Sequence, residues 1–226
     1  MTTNRNAARA DGVHNKTHLC ASIEHTCILD SEPVVCSTQR LERRQRVAAC
    51  TGNGAVMRTV LSGAASLCAG LPDGRRQLLY LATPGEMICP YTTINTELWV
   101  EALVPTSICE IPMQVAIASS RAQPDLLLRA SNQFLDATMA HLLAIGRLDG
   151  TERVTAFLVD MTRRLGSHES GRLLVHLPLN REDIADYLGL NAETVSRILG
   201  RIKRSGLVIF HSPSEFEVPD FEDLQA

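Results

Sequence analysis

The chain has 226 residues, 45% hydrophobic and 21% charged, a globular balance that excludes wholesale disorder. No stretch is long and apolar enough to span a bilayer as a helix. The formal net charge of -3 gives no reason by itself to expect a polyanionic partner, so such a partner has to be argued from where the charges lie.

Residues 1–18 carry no apolar periodicity and read as a flexible tail. They also lack the apolar segment of a secretory signal, which predicts a cytoplasmic protein whose seven cysteines are thiols and not a disulfide framework. All seven lie from Cys20 to Cys109. From Cys20 to about Met113 the texture is β-like. Short runs such as Arg58-Thr59-Val60-Leu61, Gln77-Leu78-Leu79-Tyr80-Leu81 and Leu98-Trp99-Val100-Glu101-Ala102-Leu103-Val104 alternate with turn signals at Gly52-Asn53-Gly54, Pro72-Asp73-Gly74 and Pro84-Gly85. Strands at this spacing predict an antiparallel roll, with Pro72-Asp73-Gly74 as its clearest hairpin.

After Pro124 the periodicity becomes helical. Leu128, Leu135 and Leu142 recur every seven residues, with Ser131, Met139 and Ile145 near the same stripe, until Gly146 and Gly150 break the run. Such a stripe packs either on its own domain or, as a coiled-coil seam, on a second copy of the chain. A second helix is expected over residues 152–165, with Val154, Phe157, Leu158 and Met161 on one face. Ser167 to Gly171 read as a loop and residues 172–177 as a short strand.

Asn180, with Asp183 three residues on, starts a short helix that Gly189 ends, and Asn191 caps another. A short helix, a Gly-containing turn and a second helix make a helix-turn-helix. Val195, Ile198, Leu199 and Ile202 form the buried stripe of the second helix, leaving Glu193, Ser196, Arg197 and Arg201 on the opposite side. Arginine suits the O6 and N7 edge of guanine, glutamate the cytosine amine, and serine several base edges. Glu193 and Arg197, four apart, can equally form a solvated ion pair. Arg197, Arg201, Lys203 and Arg204 concentrate phosphate-binding charge that the whole-chain value averages away. Val208-Ile209, a turn at His211-Ser212-Pro213 and Glu215-Phe216-Glu217-Val218 complete a winged hairpin, and the acidic end with Asp220, Glu222 and Asp223 is expected to lie away from DNA.

Taken together these residues resemble the CRP/FNR family of bacterial transcription regulators over nearly the whole chain. Glu193-Thr194-Val195-Ser196-Arg197 matches the E-x-x-S-R recognition motif of the FNR and FixK branch, and Asp183-Ile184-Ala185-Asp186-Tyr187-Leu188-Gly189-Leu190 and Ser205-Gly206-Leu207 follow the family around it. The resemblance implies an α+β fold: a cupin-like β-roll sensor of the cyclic-nucleotide-binding type (19–122), a long dimerisation helix (123–148) and a winged helix-turn-helix (149–226). It implies a homodimeric activator that reads a TTGAT-type palindrome in double-stranded DNA through Glu193, Ser196 and Arg197, helped by Thr194 and Arg201, and that works with RNA polymerase.

Pro84-Gly85-Glu86 resembles the family loop that precedes a phosphate-holding Arg-Ser or Arg-Thr pair in cyclic-nucleotide binders. Thr96-Glu97 stand there instead, and a carboxylate repels the anion, so no cyclic AMP is expected. Cys109-Glu110-Ile111-Pro112 matches the segment that carries the internal cysteine of FNR's oxygen-sensing [4Fe-4S] cluster. The resemblance then assigns Cys20, Cys27, Cys36 and Cys109 as the four ligands, although the first three are spaced more widely than in the family's pattern. In that mechanism the intact cluster favours the dimer and oxygen weakens it. Three other readings of the cysteines stand beside it. Cys109 can be a buried core thiol, Cys50, Cys68 or Cys89 can replace members of the set, and a reactive thiol can be oxidised without any cofactor. His14, His18 and His25 interleave with Cys20 and Cys27 and could hold zinc or haem, or be solvated. No serine-histidine-aspartate set, Gly-rich phosphate loop or HExxH motif points to an enzyme. A small-molecule-binding module that uses its helix-turn-helix only for packing is the remaining class.

Overall fold

The computed structural model describes residues 13–15, 35–51, 54–89, 96–119 and 124–225. Its first half is a roll of antiparallel strands: β1 (Val13–Asn15), β2 (Val35–Leu41), β3 (Arg46–Ala48), β4 (Cys50–Thr51), β5 (Gly54–Ser62), β6 (Ala65–Gly70), β7 (Arg76–Ala82), β8 (Met87–Ile88), β9 (Leu98–Ala102) and β10 (Thr106–Pro112). One sheet runs β1-β2-β10-β5-β4 with β8 also on β5, and the other runs β3-β9-β6-β7. Alternating apolar residues from both sheets, among them Leu41, Val60, Leu67, Val100 and Ile108, form the core between them. The predicted β6–β7 hairpin forms, with Gly74 at φ +84° and Asp73 Oδ1 accepting from Arg75 N at 3.0 Å. Gly63 turns β5 into β6 at φ +82°, where a Cβ would lie 2.4 Å from the Pro105 carbonyl oxygen.

Several elements depart from the sequence reading, including a short helix over Phe221–Gln225 within the expected acidic end and a wing turn at residues 213–214, with His211 and Ser212 in the strand before it. Val13–Asn15, inside the expected tail, pairs with β2, His14 opposite Cys36. Helix α1 (Met113–Ser119) follows β10 directly. It buries Met113 and Ala116 but has no acidic residue in its first turn and no basic one in its last, so nothing announced it. The residues expected to form the 167–171 loop instead begin as strand β11 (Gly166–Glu169), which pairs with β12 (Arg172–His176) around a tight turn with Ser170 at φ +51° and Gly171 at +78°. An exposed polar edge strand lacks the alternation by which a strand is recognised.

Helix α2 (Pro124–Arg147) turns one face to the roll, where Ala130 and His141 are buried and the Phe134 ring meets Tyr80 edge-on at 4.8 Å. Its other face leaves Leu128, Leu135, Met139, Leu142 and Leu143 exposed. Helix α3 (Gly150–Leu165) starts at a capping box of Asp149 and Glu152. Then come α4 (Arg181–Leu188), α5 (Ala192–Ser205), the hairpin of β13 (Ile209–Ser212) and β14 (Glu215–Val218), and α6 (Phe221–Gln225). The sheet order β11-β12-β14-β13 places the hairpin beside the helices as a wing. Val154, Phe157, Ile184, Leu188, Val195, Ile198, Phe216 and Leu224 share a core that continues into the roll through Leu78, Leu81, Trp99 and Leu103. The described residues contain no helix long and apolar enough to cross a membrane.

Candidate nucleic-acid interface and sensor cysteines

The local sequence positions α4 and α5 closely. Asn180 and Asp183 cap α4 reciprocally, and Gly189 ends it in the left-handed region at φ +64°. Asn191 Oδ1 then accepts from Thr194 N at 2.7 Å, starting α5 one short turn later. Val195, Ile198, Leu199 and Ile202 are buried, as their spacing predicts. That leaves Glu193, Ser196, Arg197, Arg201, Lys203 and Arg204 exposed along the outer face, with Thr194 half-buried at its start.

Arg197 Nη2 donates to Thr194 Oγ1 at 3.1 Å, one turn back on the same helix, in place of the ion pair with Glu193 that the spacing allowed. This leaves the Glu193 carboxylate and much of the Arg197 fork available on the outer face. Arg201 is tied differently. Its Nη2 donates to Thr151 Oγ1 at 2.8 Å, joining α5 to the first turn of α3. Asp149, Gly150 and Thr151 consequently line one shallow groove with Thr194, Ser196, Arg197, Arg201 and Arg204. Thr151 was absent from the sequence reading. The Asp149–Glu152 capping-box pattern is the local signal that could have placed the start of α3, but a local signal does not say which helix it faces.

The residues from 152 to 226 match the Crp-like helix-turn-helix domain. The chain is 35% identical over 167 residues to the nitrogen fixation regulation protein FixK of Rhizobium meliloti (strain 1021), covering 74% of this chain and 75% of that protein. It belongs to the CRP/FNR family of transcription regulators. It is also 31% identical over 173 residues to the transcriptional activator protein FnrL of Cereibacter sphaeroides, 74% of this chain and 70% of FnrL. Among solved structures, FixK2 from Bradyrhizobium japonicum superposes with a TM-score of 0.74 at 26% identity, covering 85% of this chain and 96% of FixK2. The β-roll, long helix and winged helix-turn-helix are thus the family's fold.

In this CRP/FNR regulator, Cys109 on β10 stands opposite Thr38 on β2, which puts Cys36, two residues from Thr38, on the same face of the strand pair. Both are buried in a satellite cluster with Cys89, Met57, Met87, Ile111 and Met113, which brings three cysteines and three methionines together. Burial pushes the Cys89 thiol up, opposed by a hydrogen bond with Ser131. Cys68 lies elsewhere, under Trp99 and Leu78, and burial with the nearby Glu101 charge pushes its thiol up to about 12. Cys50, on β4, is exposed. Cys20 and Cys27, with His18 and His25, lie outside the described residues. Among the described residues no group of three or more His, Cys, Asp or Glu is disposed to hold a metal ion.

The Pro84-Gly85-Glu86 loop is tied to Thr83 and to α3 through Glu86. Glu86 Oε2 accepts from Thr83 N at 2.7 Å and Thr83 Oγ1 at 2.9 Å, and pairs with Arg164 of α3. Thr96 and Glu97 are exposed at the start of β9.

Proposed function

We propose that this family member is an oxygen- or redox-responsive activator that binds a TTGAT-type palindrome as a homodimer. DNA readout is carried by the outer face of α5, where Glu193, Ser196 and Arg197 stand exposed on a helix whose opposite stripe is fully packed. Arg197 reads a guanine edge, Glu193 a cytosine amine and Ser196 a neighbouring base, while Thr194 steadies Arg197 and Arg201 supports the phosphate contacts with Lys203 and Arg204. The five exposed apolar side chains of α2 supply the dimer seam. The dimer then presents two recognition helices to successive major grooves. Cooperation with RNA polymerase follows from the activator reading, which FnrL's description supports. A cytoplasmic location follows from DNA as the partner.

For the signal, Cys36 and Cys109 fit half of a four-thiolate set: they share one face of β2–β10 in an apolar, sulfur-rich environment. Cys20 and Cys27 complete the set in this reading. A [4Fe-4S] cluster, when bound, supplies oxygen-labile redox chemistry. The chain's own contribution is to hold two ligands against α1 and the buried Ala130 of α2, so that a change at the cysteines bears directly on the dimer helix. Anaerobic purification followed by iron and sulfide analysis tests this, together with visible spectra and palindrome binding before and after air. Loss of both iron and palindrome binding in air supports it. An iron-free protein that binds equally in air overturns the cluster and leaves a thiol-controlled or cofactor-free regulator.

A further inference from the structure

The roll and the helix-turn-helix are joined through a partly buried lattice of charges centred on Arg76 of β7, with Glu101 and Asp183 at its buried heart. Its guanidinium, 11% exposed, bonds three carboxylates at once. Nε donates to Asp186 at 2.7 Å, Nη2 to Asp183 at 2.6 Å, and Nη1 pairs with Glu101 of β9. Asp183 and Asp186 lie one turn apart on α4, so one planar fork grips two points of the same helix face. The next residue, Gln77, donates from Nε2 to the Tyr187 carbonyl at 3.0 Å, adding a third point at the far end of α4.

Glu101 and Asp183, with side chains 0% and 1% exposed, have further partners. Glu101 also accepts from Trp99 Nε1 at 3.1 Å, Arg46 Nε at 2.8 Å and Arg44 Nη1 at 3.1 Å. Arg44 Nη1 lies 3.0 Å from Asp183 as well. Arg44 achieves this reach from a backbone at φ +69°, a strained setting for a residue with a side chain. Desolvated carboxylates are costly unless every partner is in place, so this arrangement tolerates few alternative dockings of α4. An apolar contact of the same size would allow sliding.

Helix α4 packs on α5 across the Gly189 turn, so whatever fixes α4 also fixes the direction in which α5 presents Arg197. We infer that Arg76, a residue of the sensor roll, is a positioning residue for DNA readout: by clamping α4 it sets the separation and angle at which a dimer offers its two recognition helices, and hence the half-site spacing it selects. The inference rests on the palindrome reading above. In a two-fold assembly a small rotation of each helix-turn-helix about the roll moves the two recognition helices apart, while leaving each one's contact with a single half-site intact.

The test compares palindromes whose half-site spacing is altered with a duplex carrying a single half-site, using the full-length wild type and the Arg76→Lys, Arg76→Ala and Asp186→Ala variants. Lysine keeps the charge but not the fork. Asp186→Ala removes one clamp point while placing a better helix former in α4 and leaving the capping box untouched, so helix melting is not its route of action. The expected result is that wild type prefers one spacing by on the order of tenfold or more, and that the variants lose most of that preference with single-half-site affinity retained. An unchanged spacing preference in Arg76→Lys and Asp186→Ala overturns the inference, as does a parallel fall in single-half-site affinity. If wild-type protein shows neither spacing preference nor Arg197-dependent base discrimination, the palindrome reading itself fails and takes this inference with it.

Discussion

Truncating the central leucine of the α2 seam, Leu135→Ala, tests the dimer most directly. Leu135 is 54% exposed in the single chain, flanked along the stripe by Leu128 at 59%, Met139 at 48% and Leu142 at 59%. The opposite face is already committed to the roll through Ala130, Phe134 and His141, so the exposed half of the stripe contributes little to the fold of one protomer. Full burial of a leucine side chain is worth roughly 1.5–3 kcal/mol, and about half of Leu135 remains to be buried, or about 1 kcal/mol per copy. A two-fold seam removes two copies, so association weakens by about 2 kcal/mol, roughly a thirtyfold rise in the dimer dissociation constant. Sedimentation equilibrium reads that constant directly, while thermal denaturation of the dilute, monomeric variant should match that of the monomeric parent. Palindrome affinity should fall with dimerisation, and single-half-site affinity should not. Dimers of unchanged strength in Leu135→Ala would refute the seam. So would a loss of monomer stability as large as the loss of association, since the leucine would then be packing within its own chain.

Arg197→Ala should relax discrimination at one base pair by about 1–3 kcal/mol, whereas Lys203→Ala should weaken binding evenly across sequences and flatten its salt dependence; competition titrations at several ionic strengths separate the two. His141, 9% exposed with no hydrogen-bond partner for Nε2 among the described residues and stacked on Tyr187, has its pKa pushed by burial to about 4, against opposing contributions from the Leu78 and Tyr187 backbone. Its unfolded-state pKa is higher, so below about 6.5 the unfolded chain takes up a proton that the folded chain refuses until about pH 4. Stability should therefore be independent of this group above that window and fall through it as pH is lowered, by no more than about 3 kcal/mol. Urea denaturation at pH 7 and pH 5 should show a smaller difference for His141→Gln. Cys68 should resist iodoacetamide in the folded protein near neutral pH and react once denatured, as mass spectrometry of the labelled peptides would show; rapid native labelling would contradict its burial. Gly63→Ala should destabilise the roll by a few kcal/mol, because the new Cβ meets Pro105 backbone and the residue sits at positive φ.

The sequence by itself determined whatever depends on near neighbours. The buried stripe of α5 follows from residues three and four apart, the starts of α4 and α5 from Asn180 and Asn191, and the β6–β7 hairpin from Pro72-Asp73-Gly74. The Glu193–Arg197 motif proposed for DNA readout was legible for the same reason, since one helix carries all of it. Tertiary structure decided what depends on partners distant in the chain. It paired polar β11 with β12, folded α1 against β5, and put Cys36 and Cys109 on one face of a strand pair. It chose Thr194 over Glu193 as the neighbour of Arg197 and gave Arg201 to Thr151. Above all it brought Arg76 to Asp183 and Asp186, over a hundred positions away in the chain. Periodicity tells which face of a helix is buried but not against what, and a charge in a sequence carries no mark of the partner that makes its burial tolerable.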